Sequence, residues 1–186
     1  MDTTLFLGID PSLNGTGLCL STSDGAVVHL ETIQPGSRRG AERLAYVKSR
    51  VSTLLTPKIK FVGIEGYAYD CVGRVFELGE IGGVLRLLLY EAQQAYIEIA
   101  PASLKKFAVN SAAAKKETMV HAAVAEGALV SDDNQADAFF LAMIARYFYM
   151  DVTSATRARL EVIYRLKHPT KKKSTRHLRT LLKDAL

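Results

Sequence analysis

The 186-residue chain has no tryptophan, only two cysteines and no run of about 18 uncharged apolar residues that could cross a membrane. Cys19 and Cys71 are too few for a disulfide scaffold and lack the spacing of a zinc site. The opening segment "MDTT" has neither the basic flank nor the apolar run of a secretory signal peptide. From these absences we expect a soluble, cytoplasmic protein with no membrane partner, whose cysteines are ordinary core or loop residues.

Positive charge is scarce in most of the chain and concentrated at its end. Residues 1–150 contain 14 Lys and Arg against 16 Asp and Glu, whereas residues 151–186 contain 10 against 3. We therefore expect one globular domain over residues 1–150 and a basic, partly helical tail over residues 151–186. Its lysines Lys171, Lys172 and Lys173 can follow a phosphate backbone and make binding depend on salt. The alternative for the tail is a solvated, partly disordered end.

Apolar segments separated by glycine-rich breaks predict a mixed sheet. The run "TLFLGID" is typical of a strand buried on both faces, and "GLCLSTS" and "AVVHLETI" follow after "NGTG" and "SDG" as antiparallel strands. Helical spacing then predicts a helix, the strand "FVGIE", a long helix, the short strand "YIEIA" and further helices. This order predicts an α/β fold with a mixed five-stranded sheet, three antiparallel strands and then parallel ones, flanked by helices.

Acidic residues stand where two of the predicted strands end. Asp10 ends the first strand and Glu65 ends the fourth, and if these strands are parallel neighbours their carboxylates can share one ion. Asp133 and Asp137 are four residues apart, so a helix that begins there presents both on one face. If that helix packs on the sheet, its first turn reaches the ends of the strands.

Carboxylates gathered without a cation repel one another and are driven to protonate. Mg²⁺ suits carboxylate oxygens and water, and two ions about 3.5–4 Å apart are the usual device for displacement at phosphorus. We expect two Mg²⁺ per site, one to orient the attacking water and one to steady the leaving 3′ oxygen, with Mn²⁺ as a substitute. The alternatives are structural: Asp10 serves the turn before Pro11, and Asp132 or Asp133 caps a helix.

Five segments carry a resemblance to a known family: "LGIDPSLNGTG", "VGIEGYAYD", "LGEIGGVLRLLL", "PASLKKFAV" through "KKETM", and "DDNQADA". In this order and spacing, over about residues 5–150, they resemble the RuvC family of Holliday-junction resolvases in the RNase H-like superfamily. The segment "VNSAAA", where the family has a "GxG" after its basic helix, favours the phage or mitochondrial-type branch.

That resemblance implies an RNase H-like nuclease domain over residues 1–150 and a homodimer that binds branched DNA: four-way junctions, with forks and flaps as further substrates. It also implies paired, metal-dependent nicks that leave 5′ phosphates and 3′ hydroxyls. A phage-encoded member would act in the cytoplasm of its bacterial host.

Matched residue by residue, the resemblance puts the family's metal ligands on Asp10, Glu65 and Asp137. The family's fourth acid stands three residues before the last, where this chain has Asn134, which offers a neutral oxygen and no charge. Asp133, one residue earlier, lies on the same helical face and is our predicted fourth ligand, with Asn134 as the alternative. Asp132 is left to capping.

The family's lysines at the scissile phosphate fall near Lys105 and Lys116. Both suit the positioning of a phosphate or the stabilisation of charge that develops on its oxygens. Their neighbours Lys106 and Lys115 could exchange roles with them, so the assignment is uncertain by one residue.

The segment "GYAYDCVGR" after Glu65 is predicted to be a loop that leads into the long helix. Tyr67 and Tyr69 could stack on an unpaired base at a junction, and Arg74 could hold a phosphate. The alternative is that the tyrosines only fill the loop. In the helix itself, three glycines each cost about 1 kcal/mol relative to Ala. The resemblance implies that this helix forms a dimer interface, and tight packing on its own sheet is the alternative.

Two other classes of protein share some of these features. The turn in "GIDPSLNGTG" resembles the phosphate-binding turn of sugar-kinase or actin-like ATPases, but the chain leaves no room for their second lobe. A catalytically inactive branched-DNA-binding module would use the tail, which the joint presence of Asp10, Glu65 and Asp137 argues against. The sequence therefore predicts a crossover junction endodeoxyribonuclease, without specifying its preferred branched substrate or cutting sequence.

Overall fold

The computed structural model describes residues 4–67 and 74–169. Within these residues one sheet has the strand order β3-β2-β1-β4-β5. Strands β1, β2 and β3 pair antiparallel, whereas β4 pairs parallel with both β1 and β5. The predicted mixed sheet is thus confirmed. The strands are β1 (Leu5–Asp10), β2 (Thr16–Thr22), β3 (Val27–Ile33), β4 (Ile59–Glu65) and β5 (Tyr96–Ile99).

Helices alternate with the later strands, as predicted. Pro101 occupies the first position of α3, where its missing N–H costs nothing. Asp132 caps α5, since its Oδ1 accepts a hydrogen bond of 2.8 Å from the Gln135 N–H, so the capping role predicted for Asp132 is confirmed. The helices are α1 (Gly40–Ser52), α2 (Val75–Glu91), α3 (Pro101–Val109), α4 (Lys116–Ala125), α5 (Asp133–Met150) and α6 (Arg157–Lys167).

The sheet separates two apolar cores. Along β1, Phe6 faces the core that contains α5, while Leu7 and Ile9 face the core that contains α1 and α2. All three side chains are fully buried, and each such burial contributes about 1.5–3 kcal/mol. A strand covered on both faces must be apolar at every position, which is why "LFLGID" lacks alternation. Cys19 lies in the same core as Phe6, where burial raises the pKa of its thiol to about 12.

Helix α5 lies directly on the sheet because two glycines let it approach. A Cβ on Gly8 would lie 1.9 Å from the backbone oxygen of Ala138, and one on Gly17 would lie 2.1 Å from that of Asn134. Neither helix oxygen can retreat without moving α5, so only glycine fits at these strand positions. This contact brings the first turn of α5 to the ends of β1 and β4.

Part of the predicted basic tail is packed structure. Helix α6 contacts α3 and α5 and buries Val162 and Ile163. The division of the chain at residue 150 stays a prediction, and Lys171, Lys172 and Lys173 lie outside the described residues. No helix in the described ranges 4–67 and 74–169 has the length and apolarity needed to span a bilayer.

Candidate functional site

The first two acids meet because their strands are parallel neighbours. Ile9 of β1 is level with Ile64 of β4, so Asp10 and Glu65 follow at the same height where the strands end. Their carboxyl groups lie within hydrogen-bonding reach of one another. Asp10 is only 7% exposed and Glu65 is half-buried. The proximity expected from the strand order is therefore present.

Helix α5 adds two acids to this pair. Asp133 and Asp137 lie one turn apart at its start, and both are near enough to raise the pKa of Asp10. Oδ1 of Asp137 is buried and has no hydrogen-bond partner among the described residues. A buried, unpaired carboxylate oxygen costs free energy unless a donor or a cation reaches it.

The pKa values of three acids are shifted upward. Burial raises the pKa of Asp10 well above its usual range, and the charges of Glu65 and Asp137 raise it further. Burial also raises the pKa of Asp137 to about 7, with Glu65 and Asp133 adding to the effect. The pKa of Glu65 is raised by burial too, although the hydrogen bond with Asp10 and the charge of Lys105 oppose that rise. The two carboxyl groups therefore titrate as a pair that retains a shared proton more readily than isolated carboxyl groups would.

Two of the four candidate lysines act on the acids, and a third is bonded elsewhere. Lys116 pairs with Asp133, which raises the pKa of its ammonium group. Lys105 is near enough to lower the pKa of both Glu65 and Asp137. In contrast, Lys106 donates to Glu161 of α6 at 2.8 Å, away from the acids. Lys115 is the N-cap residue of α4. The geometry thus favours Lys105 and Lys116 over their neighbours.

Asp133 and Asn134 point to different surroundings. Nδ2 of Asn134 lies 3.1 Å from where a Cβ on Gly15 would stand, so the amide packs on the turn between β1 and β2. The Asp133 carboxylate instead meets Lys116 and acts on Asp10. Both residues line the cleft described below. This contrast supports Asp133 over Asn134 as the fourth ligand, which stays a prediction.

The acids line a cleft of about 680 Å³ between α2 and the start of α5. Tyr67 lines it, 40% exposed, with its ring 4.2 Å from the guanidinium carbon of Arg86. Arg74, at the start of α2, donates to Glu77 at 3.2 Å on the exposed surface. Tyr69 lies outside the described residues. The base stacking predicted for Tyr67 and Tyr69 stays a prediction. The phosphate contact predicted for Arg74 stays a prediction as well.

Arg86 is a site residue that the sequence analysis missed. Its Nη2 donates to the backbone oxygen of Glu65 at 3.1 Å, and its Nε and Nη2 donate to Glu98 on β5 at 2.9 and 3.3 Å. A Cβ on Gly82 would lie 2.6 Å from its Nη1, so glycine makes room for the guanidinium. The signal in the sequence was one arginine inside the apolar run "IGGVLRLLLY".

The donor set fits hard divalent cations, since it consists of carboxylate oxygens, one of them unpaired. As the side chains stand, however, no three Asp, Glu, His or Cys residues in the described part of the chain have the spacing of a closed metal site. Without a cation, burial and mutual repulsion disfavour the charged form of these acids, and Lys116 holds Asp133. The acids are assembled at one place, and a cation would have to draw them together.

A five-stranded mixed sheet that carries acids at the ends of β1 and β4 and on the crossing helix α5 defines the RNase H-like class of folds. The family profile described as crossover junction endodeoxyribonuclease RuvC matches residues 6–145. The chain belongs to the RuvC family, as its sequence motifs predicted.

Solved structures agree with this fold. A structure described as Thermus thermophilus RuvC is similar with a TM-score of 0.64 and 21% identity, over 80% of this chain and 97% of that one. A second, T. thermophilus RuvC in complex with Holliday junction substrate, is similar with a TM-score of 0.62 and 20% identity, over 79% and 96% of the two chains. A search of the curated proteins gave no significant match.

Proposed function

We propose that this chain is an endonuclease that resolves Holliday junctions by divalent-metal-dependent phosphodiester hydrolysis, with forks and flaps as further branched substrates. One observation carries the proposal: in a chain of the RuvC family, four acids meet at one sheet edge, and a buried oxygen of Asp137 lacks a partner among the described residues. Such a set has no structural use without a cation, because burial and mutual repulsion both disfavour its charged form.

Asp10, Glu65, Asp133 and Asp137 are the residues that would hold two Mg²⁺, or Mn²⁺ in their place. Bound there, the ions would activate the attacking water and stabilise the leaving 3′ oxygen, which gives a 5′ phosphate and a 3′ hydroxyl. Lys105 and Lys116 border the acids and would hold the phosphoryl oxygens as negative charge develops on them. Glu65 and Asp10 must lose their shared proton before both can serve as ligands.

We infer further that two copies of the chain form a homodimer through α2 and cut in pairs. Phe76 is 91% exposed, and Leu87 and Tyr90 lie on the same open side of the helix. A Cβ on Gly79 or Gly83 would meet nothing within 4 Å. An exposed apolar stripe with small residues suits a second helix, and two symmetric nicks suit a two-fold axis.

The cleavage test compares a synthetic four-way junction with a duplex of the same sequence, each in Mg²⁺ and in EDTA. We expect nicks in the junction only, only with Mg²⁺, at symmetric positions, with 5′-phosphate ends that a ligase can seal. Binding of the junction without any cut in Mg²⁺ or Mn²⁺ would show instead an inactive branched-DNA-binding module.

The dimer is tested by sedimentation of Leu87→Glu beside Val28→Glu. Leu87 and Val28 are similarly exposed, 51% and 54%, but Val28 lies on β3, away from α2. We expect wild type and Val28→Glu to sediment as dimers and Leu87→Glu as a monomer. A monomeric wild type would contradict the dimer without affecting the cleavage proposal.

A further inference from the structure

A second cationic feature begins at the same edge of the sheet as the acids. The arginine loop, defined here as residues 34–43, comprises the connection from β3 to α1 and the first turn of α1, and it contains Arg38, Arg39 and Arg43 against one acid, Glu42. The sequence motifs did not single it out, and no role described above includes it.

The strand register fixes where this loop begins. Asp10 is paired with Gly17 across β1 and β2, and Gly17 is paired with Thr32 across β2 and β3. Two strand spacings of about 4.8 Å put the backbone of Thr32 about 10 Å from that of Asp10. The Thr32 hydroxyl also donates to Asp132, at 2.7 Å, which ties the end of β3 to the start of α5. The arginine loop therefore starts beside the acid cluster.

Two of its arginines keep their charge available. Arg38 lies over the ring of Tyr46, 4.1 Å from the centroid, and its Nη1 donates to the Pro35 carbonyl at 3.1 Å. Its Nε is 3.8 Å from Glu42, an exposed pair that contributes little. Nη1 of Arg39 donates to the carbonyls of Gly36 and Arg38. Carbonyl oxygens are neutral, so these bonds orient the guanidinium groups without cancelling their charge.

The third arginine supports the loop from beneath. Arg43 is only 3% exposed, on the face of α1 that also buries Val47 and Val51. Its Nε donates to the carbonyl of Arg38 at 3.3 Å, and no carboxylate pairs with it among the described residues. A buried guanidinium without an acidic partner is uncommon, because burial of a charge is costly. Arg43 adds positive potential under the loop and holds the turn in which Arg38 and Arg39 stand.

We propose that the arginine loop binds the phosphate backbone of DNA beside the carboxylate cluster. The inference rests on the proposed function and deepens it, because it names a contact that guides the strand into the site. Four acids repel a polyanion, so the strand needs cations on more than one side of them. Lys105 and Lys116 supply them from α3 and α4, and Arg38 and Arg39 supply them from the β3 side.

The test is a salt titration of junction binding in EDTA, by fluorescence anisotropy, so that binding is read without cleavage. Loss of two phosphate contacts in Arg38→Ala/Arg39→Ala reduces the slope of log K against log salt by about 2. A rise from about 50 to 200 mM salt should then weaken wild-type binding about tenfold more than it weakens this variant. Arg38→Lys/Arg39→Lys keeps the charge and should restore the slope.

A matched control removes the same charge from the other end of α1. Lys48 and Arg50 are paired with Glu91 and Glu31, so Lys48→Ala/Arg50→Ala should keep the wild-type slope. Equal slopes for wild type and the arginine-loop variant, or an equal loss in the control variant, would overturn the inference. If wild type binds no junction at all, both the proposed function and this inference are wrong. If wild type cuts junctions but the arginine variant binds with an unchanged slope, only the inference fails.

Discussion

Among the described residues, four acids meet at the ends of β1 and β4 with two lysines beside them, whereas between α3 and α6 a single glutamate is paired with two basic side chains. Glu161 accepts hydrogen bonds from Lys106 at 2.8 Å and from Arg165 at 2.5 Å, and these lower its pKa. At the site, burial and mutual repulsion raise the pKa of Asp10 and Asp137. Acidic side chains are thus paired with basic ones between α3 and α6, whereas at the ends of β1 and β4 burial and mutual repulsion disfavour their charged form.

Each region also contains an arginine with the same set of contacts. Arg86 bonds Glu98 and the carbonyl of Glu65 and lies against Tyr67. Arg159 bonds Glu126 and the carbonyl of Phe107 and lies 5.2 Å from the Phe107 ring centroid. Both side chains are 11% exposed. The two arginines differ in what they hold in place. Arg86 bonds the backbone of Glu65, which is a predicted metal ligand, whereas Arg159 bonds the backbone of Phe107 where α6 packs on α3.

The largest effect is expected from Asp10→Asn. Loss of one carboxylate at the shared ion position should reduce junction cleavage by about a thousandfold or more. In EDTA the variant should melt above wild type, because it removes a carboxyl group whose ionisation is disfavoured by burial and by the neighbouring acids. Initial cleavage rates and thermal melting are the measurements. Glu161→Gln is the control, with a cleavage rate within about twofold of wild type. Full cleavage by Asp10→Asn would refute the metal-ligand assignment.

Comparison of Asp133→Asn with Asn134→Ala tests which residue is the fourth metal ligand. If Asp133 is a ligand, its neutral variant should cut about 100-fold more slowly, and the rate should recover in part at high Mg²⁺. Asn134 packs on the β1–β2 turn, so its truncation should leave the rate within about threefold. The measurement is the cleavage rate as a function of Mg²⁺. The reverse order of effects would assign the ligand to Asn134.

Comparing Arg86→Met with Arg159→Met distinguishes an effect on the position of Glu65 from a general effect on packing. Both variants lose an ion pair, a bond to a carbonyl and an aromatic contact, so similar losses in melting temperature are expected. Only Arg86→Met frees the Glu65 backbone, so it alone should reduce kcat, by about tenfold, with KM for the junction little changed. Arg86→Lys should restore part of kcat. An equal fall of kcat in both variants would indicate a general loss of stability.

The smallest effect is on stability as a function of pH. The pKa of Asp137 is about 3.8 in the unfolded chain and about 7 in the folded protein. Between these two pH values the folded protein binds more protons than the unfolded chain. The contribution of Asp137 to the free energy of unfolding is therefore fully present at low pH and is lost as pH rises towards 7. The metal-free protein should therefore melt about 5 °C lower at pH 8 than at pH 5. Mg²⁺ should raise the melting temperature more at pH 8 than at pH 5, because protons compete for the ligands.

Asp10→Asn supplies the control for this pH series. It removes one of the buried carboxyl groups whose pKa is raised, so its melting temperature in EDTA should depend less on pH than that of wild type. A wild-type protein whose melting temperature does not change between pH 5 and pH 8 would contradict the upward pKa shifts.

How much could be predicted depended on whether a feature is local in the chain. The start of α5 was predictable because Asp132 is a capping residue and the apolar pattern follows at once. The sequence named Lys105 but left Lys106 open as its alternative, since only the packing of α6 draws Lys106 to Glu161. Arg86 was missed because its partners Glu65 and Glu98 lie on two different strands.

The sequence by itself determined the order of the elements, the strand ends at Asp10 and Glu65, and the family. These follow from periodicity, capping and motif spacing, which are properties of neighbouring residues. Only the tertiary structure decided which side chains face one another, Asp133 towards the acids and Asn134 towards the turn, and that the arginine loop starts at the same sheet edge. The physical reason is the packing of α5 on Gly8 and Gly17 and the register of β1, β2 and β3, both of which join distant parts of the chain.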